Sequence, residues 1–281
     1  MVPALTPATT TAFTPIASPA TVSLPSFTIS EWSGGQGATT NDPDLRDLAG
    51  DALAAVEFLK SRNEINRKQI GLWGLSEGGW VAPLAAMKSH DVAFLIIVSG
   101  PGVKVGKVHL YAGQMRLRQR GFSEAEIGEA LTALKQVDEF VRTGGDRKAL
   151  QSVLDQAWTK PWAASTILPR TAPTAAEQST LLRWRNLDFD PALSWGRIRV
   201  PVLAFFGERD NVVPVQQSVE RIDRALKQAR NADVTIKVYP GADHIIKLKP
   251  GAGSQWDWPR PAPGYIDMMT DWTLRRVDVV R

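Results

Sequence analysis

The stretch Gln69-Ile-Gly-Leu-Trp-Gly-Leu-Ser-Glu-Gly-Gly-Trp80 decides the fold of this chain. Its apolar beginning predicts a short buried strand, and the residues through Lys88 that follow it predict a helix. Between them, Gly74-Leu75-Ser76-Glu77-Gly78 has the Gly-x-Ser-x-Gly pattern of a nucleophile elbow, a tight turn that exposes a strained serine hydroxyl. Gly74 and Gly78 lack a Cβ, so we expect both to let strand and helix approach closely. Ser76 is therefore the predicted nucleophile.

A serine nucleophile needs a general base, and the chain has only three histidines. His244 follows the strand-like segment 234–238, and the end of the last strand is where the base belongs in an elbow-type enzyme. His90 ends the helix after the elbow, where we expect it to contact terminal carbonyl groups. His109 falls in an inserted segment, where a surface or lid role is expected. His244 is therefore the predicted base.

The acid that orients the base is expected in the polar loop that follows the apolar strand 200–206. Asp210 lies at the tip of this loop, Glu208 is its nearest rival, and Asp243 is a third candidate. The 34 residues from Asp210 to His244 fit one helix plus one strand. The 134 residues from Ser76 to Asp210 exceed the usual spacing by roughly 90 and indicate an insertion.

Three stretches resemble the serine α/β-hydrolase superfamily: 74–79, 206–214 and 241–244. The similarity covers about residues 31–102 and 190–281, and is greatest to bacterial esterases and to hydrolases of the dipeptidyl-aminopeptidase or acyl-peptidase type. It implies an α/β fold with a mostly parallel sheet, flanking helices and an inserted helical cap. It also implies that Ser76, Asp210 and His244 form a catalytic triad, with the backbone N–H of Glu77 as one oxyanion donor.

Composition limits the possible partners. Lys and Arg number 33 and Asp and Glu 29, so the net charge is only +4 and gives no reason to expect a nucleic-acid partner. The absence of cysteine excludes disulfides and thiolate metal sites, and the histidines lack metal-ligand spacing. No apolar run reaches the roughly 18 residues of a membrane span. We expect no cofactor and no metal, a small-molecule ester or short acyl or peptide substrate, and a cytoplasmic location.

The pattern along the chain predicts four regions. Residues 1–30 carry no charge and many prolines, which is typical of a disordered, low-complexity lead. Residues 31–102 form the first part of a hydrolase core, 103–190 a helical cap, and 191–281 the second part of the core. In the first part, an amphipathic helix is expected over 44–62 and a buried strand over 92–98. The helix should bury a stripe made of Leu48, Ala52, Ala55, Phe58 and Leu59.

The predicted cap consists of helices at about 107–120, 124–143 and 147–158, with Ser123 as an N-cap and Gly144-Gly145 as a stop. Tryptophans recur at 158, 162, 184 and 195. They either fill the interior of the cap or line a pocket in a lid over Ser76, and both interpretations stay open. Beyond the cap, strands at 199–206 and 234–239 and helices at about 214–229 and 264–280 complete the fold.

The region before the elbow is shorter than the resemblance implies. One strand, 27–32, is plausible there, followed by a turn-rich loop at 33–40, where four strands are expected. We therefore expect an N-terminally incomplete hydrolase without an identified second oxyanion donor. Ester cleavage is preferred because no paired-glutamate motif marks an amino-terminus binding site. The alternatives are a peptidase of the dipeptidyl or acyl-aminopeptidase type and a non-catalytic hydrolase-like protein.

Overall fold

The computed structural model describes residues 44–180, 186–251 and 253–277. The predicted lead at 1–30, the strand at 27–32, the loop at 33–40 and Trp184 lie outside the described residues.

A parallel sheet forms the centre of the described chain. Its strands are β1 (Gly71–Leu75), β2 (Phe94–Val98), β3 (Val202–Gly207) and β4 (Val234–Tyr239), hydrogen-bonded in the order β1-β2-β3-β4. Every residue of β2 and β3 is buried, as continuous apolar strands covered on both faces require. Two short strands, β5 (Lys247–Leu248) and β6 (Arg260–Pro261), pair antiparallel beyond the sheet.

Helices connect and cover these strands. In chain order they are α1 (Leu45–Lys60), α2 (Gly78–Ala86), α3 (Val105–Gln119), α4 (Glu124–Thr143), α5 (Arg147–Ala157), α6 (Ala175–Thr180), α7 (Ala192–Trp195), α8 (Val215–Gln228) and α9 (Tyr265–Leu274). A 3₁₀ turn lies at Ala163–Ser165. Helices α3 to α7 lie between β2 and β3 along the chain, which accounts for the long spacing between Ser76 and Asp210.

The ends of the helices follow the sequence signals. Asp44 and Ser123 each form a capping box, in which the side chain accepts a backbone N–H of the first turn. Gly144 ends α4 with a φ of 75°, a conformation that favours glycine. The N-cap predicted at Ser123 and the stop predicted at Gly144 are therefore confirmed.

The buried stripe of α1 was predicted correctly in part. Leu48 and Ala52 are buried, but Phe58 is 53% exposed, and Val56 is buried instead. Val56 follows Ala52 by four residues and lies on the same face, whereas a six-residue step at 3.6 residues per turn takes Phe58 to another face.

The insertion has an apolar interior of its own. Trp162 is buried in it and Trp158 packs against it, as the first of the two interpretations of the tryptophans predicts. Trp195 belongs instead to the core beside the sheet, next to Val202 and Ala204. The buried members of the insertion's interior are Leu117, Ile127, Ala130, Ala133, Leu134, Val137, Leu150, Leu154, Ala157, Trp162, Ala163, Leu168, Ala172 and Leu187.

Candidate active site

Ser76 lies in the turn between β1 and α2 with a φ of 53°. A left-handed backbone costs a non-glycine residue on the order of 1–2 kcal/mol and persists only where the surroundings enforce it. Part of that constraint is a hydrogen bond of 2.9 Å from the Ser76 N–H to the carbonyl of Val98 at the end of β2. The backbone at Ser76 thus has the strained conformation that the sequence predicts for an elbow.

Close approach around the elbow depends on Gly74 and Gly79. A Cβ on Gly74 would lie 2.5 Å from the carbonyl oxygen of Gly78, as expected. A Cβ on Gly78 itself would meet nothing within 4 Å, so the prediction that Gly78 needs a bare Cα was wrong. A Cβ on Gly79 would lie 2.2 Å from the Cα of Gly100, because the second residue of α2 faces the loop after β2.

His244 and Asp210 meet beyond the carboxyl ends of β4 and β3. The imidazole Nδ1 lies 2.8 Å from Oδ2 of Asp210. The Asp210 side chain has no exposed surface, and its Oδ1 accepts hydrogen bonds from the N–H groups of Val212 and Val213 at 2.8 and 2.9 Å. With Nδ1 directed at the carboxylate, the neutral ring carries its proton there and leaves Nε2 to accept another.

The two rivals of Asp210 are engaged elsewhere. Glu208 accepts the N–H of Gly241 at 2.8 Å. Asp243 accepts the N–H groups of Ile245 and Lys247, both at 3.0 Å, within its own loop. Of the three candidate acids, the structure brings Asp210 to the imidazole.

The acid loop and the histidine loop are in direct backbone contact. A Cβ on Gly207 would lie 2.0 Å from the carbonyl oxygen of Asp243, so only glycine fits there. Beside it, the N–H of Arg209 donates to the carbonyl of Ala242 at 2.8 Å. This contact fixes the distance between the two loops and therefore between Asp210 and His244.

Ser76, Asp210 and His244 all follow carboxyl ends of strands in one parallel sheet, which is the edge where sites of α/β proteins lie. Among the described residues, no hydrogen bond joins the Ser76 hydroxyl to the imidazole. Such links are often long without substrate and shorten when it binds. Glu77 is the N-cap of α2, so its N–H lies at the positive end of the helix dipole.

Of the three histidines, His244 is the one with a hydrogen bond to Asp210 among the described residues. His90 is exposed after α2, and His109 is a partly buried residue of α3. A contact with helix-end carbonyls for His90 and a lid or surface position for His109 stay predictions.

Tyr111 on α3 is a contact that the sequence did not indicate. Its hydroxyl donates a 2.9 Å hydrogen bond to the backbone carbonyl of Asp210. Burial, followed by the nearby charge of Asp210, raises the pKa of the Tyr111 phenol, so the phenol stays protonated at neutral pH. A lone tyrosine in a helix carries no sequence signal for a contact 99 residues away.

Arg221 on α8 holds both ends of the insertion. Its Nε donates to the carbonyl of Gly102, where the chain leaves the sheet, at 2.8 Å. Its Nη2 lies 2.7 and 2.8 Å from the two carboxylate oxygens of Asp190, where the chain returns.

In the described part of the chain, no group of three or more His, Cys, Asp or Glu residues could hold a metal ion. Within the same residues, no helix is both long enough and apolar enough to cross a bilayer.

A parallel sheet with a strained serine at an elbow and a His–Asp pair at the same edge is the arrangement of the α/β-hydrolase superfamily. The chain belongs to the BAAT / acyl-CoA thioester hydrolase C-terminal family, whose model matches residues 53–250. The predicted superfamily is thereby confirmed, and so is the predicted fold of a mostly parallel sheet with flanking helices. A comparison with curated protein sequences found no match.

Several solved structures resemble the chain at low identity. Dipeptidyl peptidase 4 of Porphyromonas gingivalis is 12% identical, with 84% of this chain and 24% of that chain covered and a TM-score of 0.45. Acylaminoacyl peptidase of Pyrococcus horikoshii is 15% identical, with coverages of 70% and 23% and a TM-score of 0.39. Acetyl xylan esterase 1 of Thermoanaerobacterium sp. is 16% identical, with coverages of 83% and 53% and a TM-score of 0.45. The chain spans about a quarter of the length of the two peptidases.

Proposed function

We propose that this protein cleaves carboxylic esters through an acyl-enzyme, with Ser76 as nucleophile, His244 as general base and then acid, and Asp210 as the group that orients the imidazole. The hydrogen bond between His244 Nδ1 and the buried Asp210 carboxylate carries the proposal. It selects the imidazole tautomer that can take a proton at Nε2, and it stabilises the imidazolium that forms.

In the first half-reaction, the Ser76 Oγ bonds to the ester carbonyl carbon while its proton passes to Nε2 of His244. The carbonyl π electrons move to the oxygen, and the Glu77 N–H at the start of α2 donates to this oxyanion. The oxyanion then collapses and the bond to the leaving oxygen breaks. That oxygen takes the proton from His244 and departs as an alcohol.

In the second half-reaction, water attacks the acyl-enzyme and gives a proton to His244. Collapse of the second tetrahedral intermediate breaks the bond to Ser76 Oγ, which recovers the proton. The products are a carboxylic acid and the free enzyme, so the atoms and protons balance.

We further propose that residues 103–190 form a cap on a core made of 31–102 and 191–281. The separate apolar interior of the insertion supports this division, and so does the attachment of both its ends to Arg221. A small-molecule substrate and a cytoplasmic location stay predictions from the sequence.

Thioester cleavage is the second candidate, because the description of the matching family names acyl-CoA thioester hydrolases. The same groups serve this reaction, and a thiolate leaves more easily than an alkoxide and needs less protonation. A peptidase would require His244 to protonate an amine leaving group, and it remains the alternative supported by the sequence resemblance.

The decisive experiment compares the wild type with Ser76→Ala on three substrates: a p-nitrophenyl ester, an acyl-CoA thioester and an aminoacyl p-nitroanilide. We expect turnover of the ester and a loss of about 10⁶-fold in kcat for the variant. Faster turnover of the thioester, judged by kcat/KM, would favour the second candidate, and faster turnover of the anilide would favour the peptidase.

Ser152→Ala is the matched control, because Ser152 is an exposed serine of α5 far along the chain from the elbow. A fluorophosphonate probe should label the wild type and Ser152→Ala but not Ser76→Ala. Equal turnover by Ser76→Ala would reject Ser76 as the nucleophile. A wild type that neither turns over nor becomes labelled would indicate the non-catalytic protein.

A further inference from the structure

Helix α3, the first helix of the insertion, contacts the acid loop itself. The Tyr111 hydroxyl reaches the backbone carbonyl of Asp210 at 2.9 Å, although the two residues are 99 positions apart. Tyr111 is partly buried. The contact therefore joins the insertion to the residue that orients the imidazole.

Asp210 is held by several independent hydrogen bonds. Its carboxylate Oδ1 accepts the N–H groups of Val212 and Val213, which fix the side chain relative to the residues that follow. Its own N–H donates to the carbonyl of Gly207 at 3.1 Å. The contact from Tyr111 engages the peptide carbonyl of Asp210 from helix α3.

The orientation of that peptide affects the catalytic geometry. Rotation of the Asp210 carbonyl turns the Cα and displaces the carboxylate, while His244 is held by a different loop. Misplacement of a catalytic group by even a fraction of an ångström reduces the rate, because the hydrogen bond that orients the imidazole depends on distance and direction.

We propose that Tyr111 is a positioning residue, through which α3 keeps Asp210 in line with His244. The proposal rests on the hydrolase function proposed above. It makes the insertion part of the support of the catalytic acid, in addition to any cover over Ser76.

The test is Tyr111→Phe, which keeps the ring and removes the hydroxyl. Its first readout is the proton NMR signal of the His244 Nδ1–H, which lies far downfield when this proton is hydrogen-bonded to a carboxylate and is assigned by its loss in Asp210→Asn. We expect this signal to move upfield or to broaden by exchange. The second readout is ester hydrolysis, where we expect kcat to fall about tenfold with KM unchanged, as the loss of one hydrogen bond predicts.

Tyr239→Phe is the matched control. It also removes one phenol hydroxyl, which donates to the sulfur of Met268 at 3.8 Å, away from Asp210. The His244 signal and kcat should be those of the wild type in this variant, and circular dichroism should show that both variants fold.

Three outcomes would overturn the proposal: an unchanged His244 signal in Tyr111→Phe, equal changes in both variants, or a loss confined to KM, which would make Tyr111 a substrate contact. The NMR comparison needs no substrate. If the wild type hydrolyses none of the substrates, the proposed function fails while the signal still decides whether Tyr111 positions Asp210.

Discussion

The turn that carries Ser76 and the pair of loops that carries Asp210 and His244 are built in different ways. The turn is one continuous segment, in which Gly74 approaches the backbone only four residues further on. The pair joins loops 34 residues apart, and their contact depends on Gly207 lying against the backbone of the histidine loop. A local motif makes the first, and tertiary packing makes the second.

This difference explains why a contiguous motif can be predicted from the sequence, whereas a contact between two distant loops cannot. The elbow can be recognised from five residues because its pattern is contiguous, although Val98 and Gly100 at the end of β2 also help to hold it. For the acid, the sequence favoured Asp210 but left Glu208 and Asp243 as rivals, because the loop contacts that decide among the three are not visible in the sequence.

Among the tests of this difference, a change of the acid in the loop pair has the largest expected effect. Asp210→Asn keeps the size of the side chain but removes the charge that holds the imidazole tautomer, and we expect kcat for ester hydrolysis to fall about 10⁴-fold. Glu208→Gln is the control, because Glu208 bonds to the N–H of Gly241 and not to the imidazole. Steady-state kinetics of ester hydrolysis gives kcat for both variants, and we expect the large loss in Asp210→Asn alone.

Similar losses in the two variants would show that the acid loop acts as a unit and that Asp210 has no special role. A loss confined to Glu208→Gln would assign the role to the rival that the sequence left open.

The second largest expected effect is on stability and concerns glycines of the turn that carries Ser76. We expect Gly79→Ala to lower the free energy of unfolding by about 3 kcal/mol, because the new Cβ would collide with the backbone of Gly100. Gly78→Ala should leave it unchanged or raise it by up to about 1 kcal/mol, because its Cβ meets open space and alanine favours a helix. Urea unfolding measures the free energy of unfolding of both variants. A larger decrease in Gly78→Ala than in Gly79→Ala would contradict the geometry at the elbow.

Much of the fold could be predicted from hydrophobic periodicity and from residues that begin or end helices. The four parallel strands, the helix over α1, the capped start of α4 and the stop at Gly144 were all predicted. The error at Phe58 was one of helical periodicity, because the helical angle takes Phe58 off the predicted face. The omissions concern positions whose neighbours come from elsewhere in the chain: Gly79 faces a different loop, and Tyr111 contacts a residue 99 positions away. Local propensity has no information about such partners.

The smallest effect lies in the insertion and should leave the two catalytic regions unchanged. Burial raises the pKa of Asp138 on α4 to about 6 from 3.8, the Arg142 charge opposes this shift, and the Asp188 charge adds to it. Above pH 6 the ionised carboxylate lowers stability. We expect Asp138→Asn to be more stable than the wild type at pH 7.5 by about 1 kcal/mol, allowing for solvent screening of a partly exposed group.

The sign of this effect depends on pH. The pKa of the folded state exceeds that of the unfolded state, so the contribution of Asp138 to stability is fully present below about pH 3.8 and is lost as pH rises through 6. The advantage of Asp138→Asn should therefore shrink as pH falls from 7 to 4, while kcat for ester hydrolysis stays unchanged. Urea unfolding across this pH range measures the difference in stability between Asp138→Asn and the wild type. A difference that does not change with pH would contradict the raised pKa of Asp138.

The guanidinium of Arg221 binds the chain both where the insertion begins and where it ends. A single side chain of the core thus sets the spacing between the exit and the re-entry of 88 residues, from 103 to 190. Within these two anchor points, α4 and α5 pack on the insertion's own interior, so this part can change without displacing β2 or β3. Helix α3 is the exception, because Tyr111 contacts the acid loop. Different substrates can therefore be accommodated in this fold by changes in the insertion, while the residues at the carboxyl ends of the strands keep their positions.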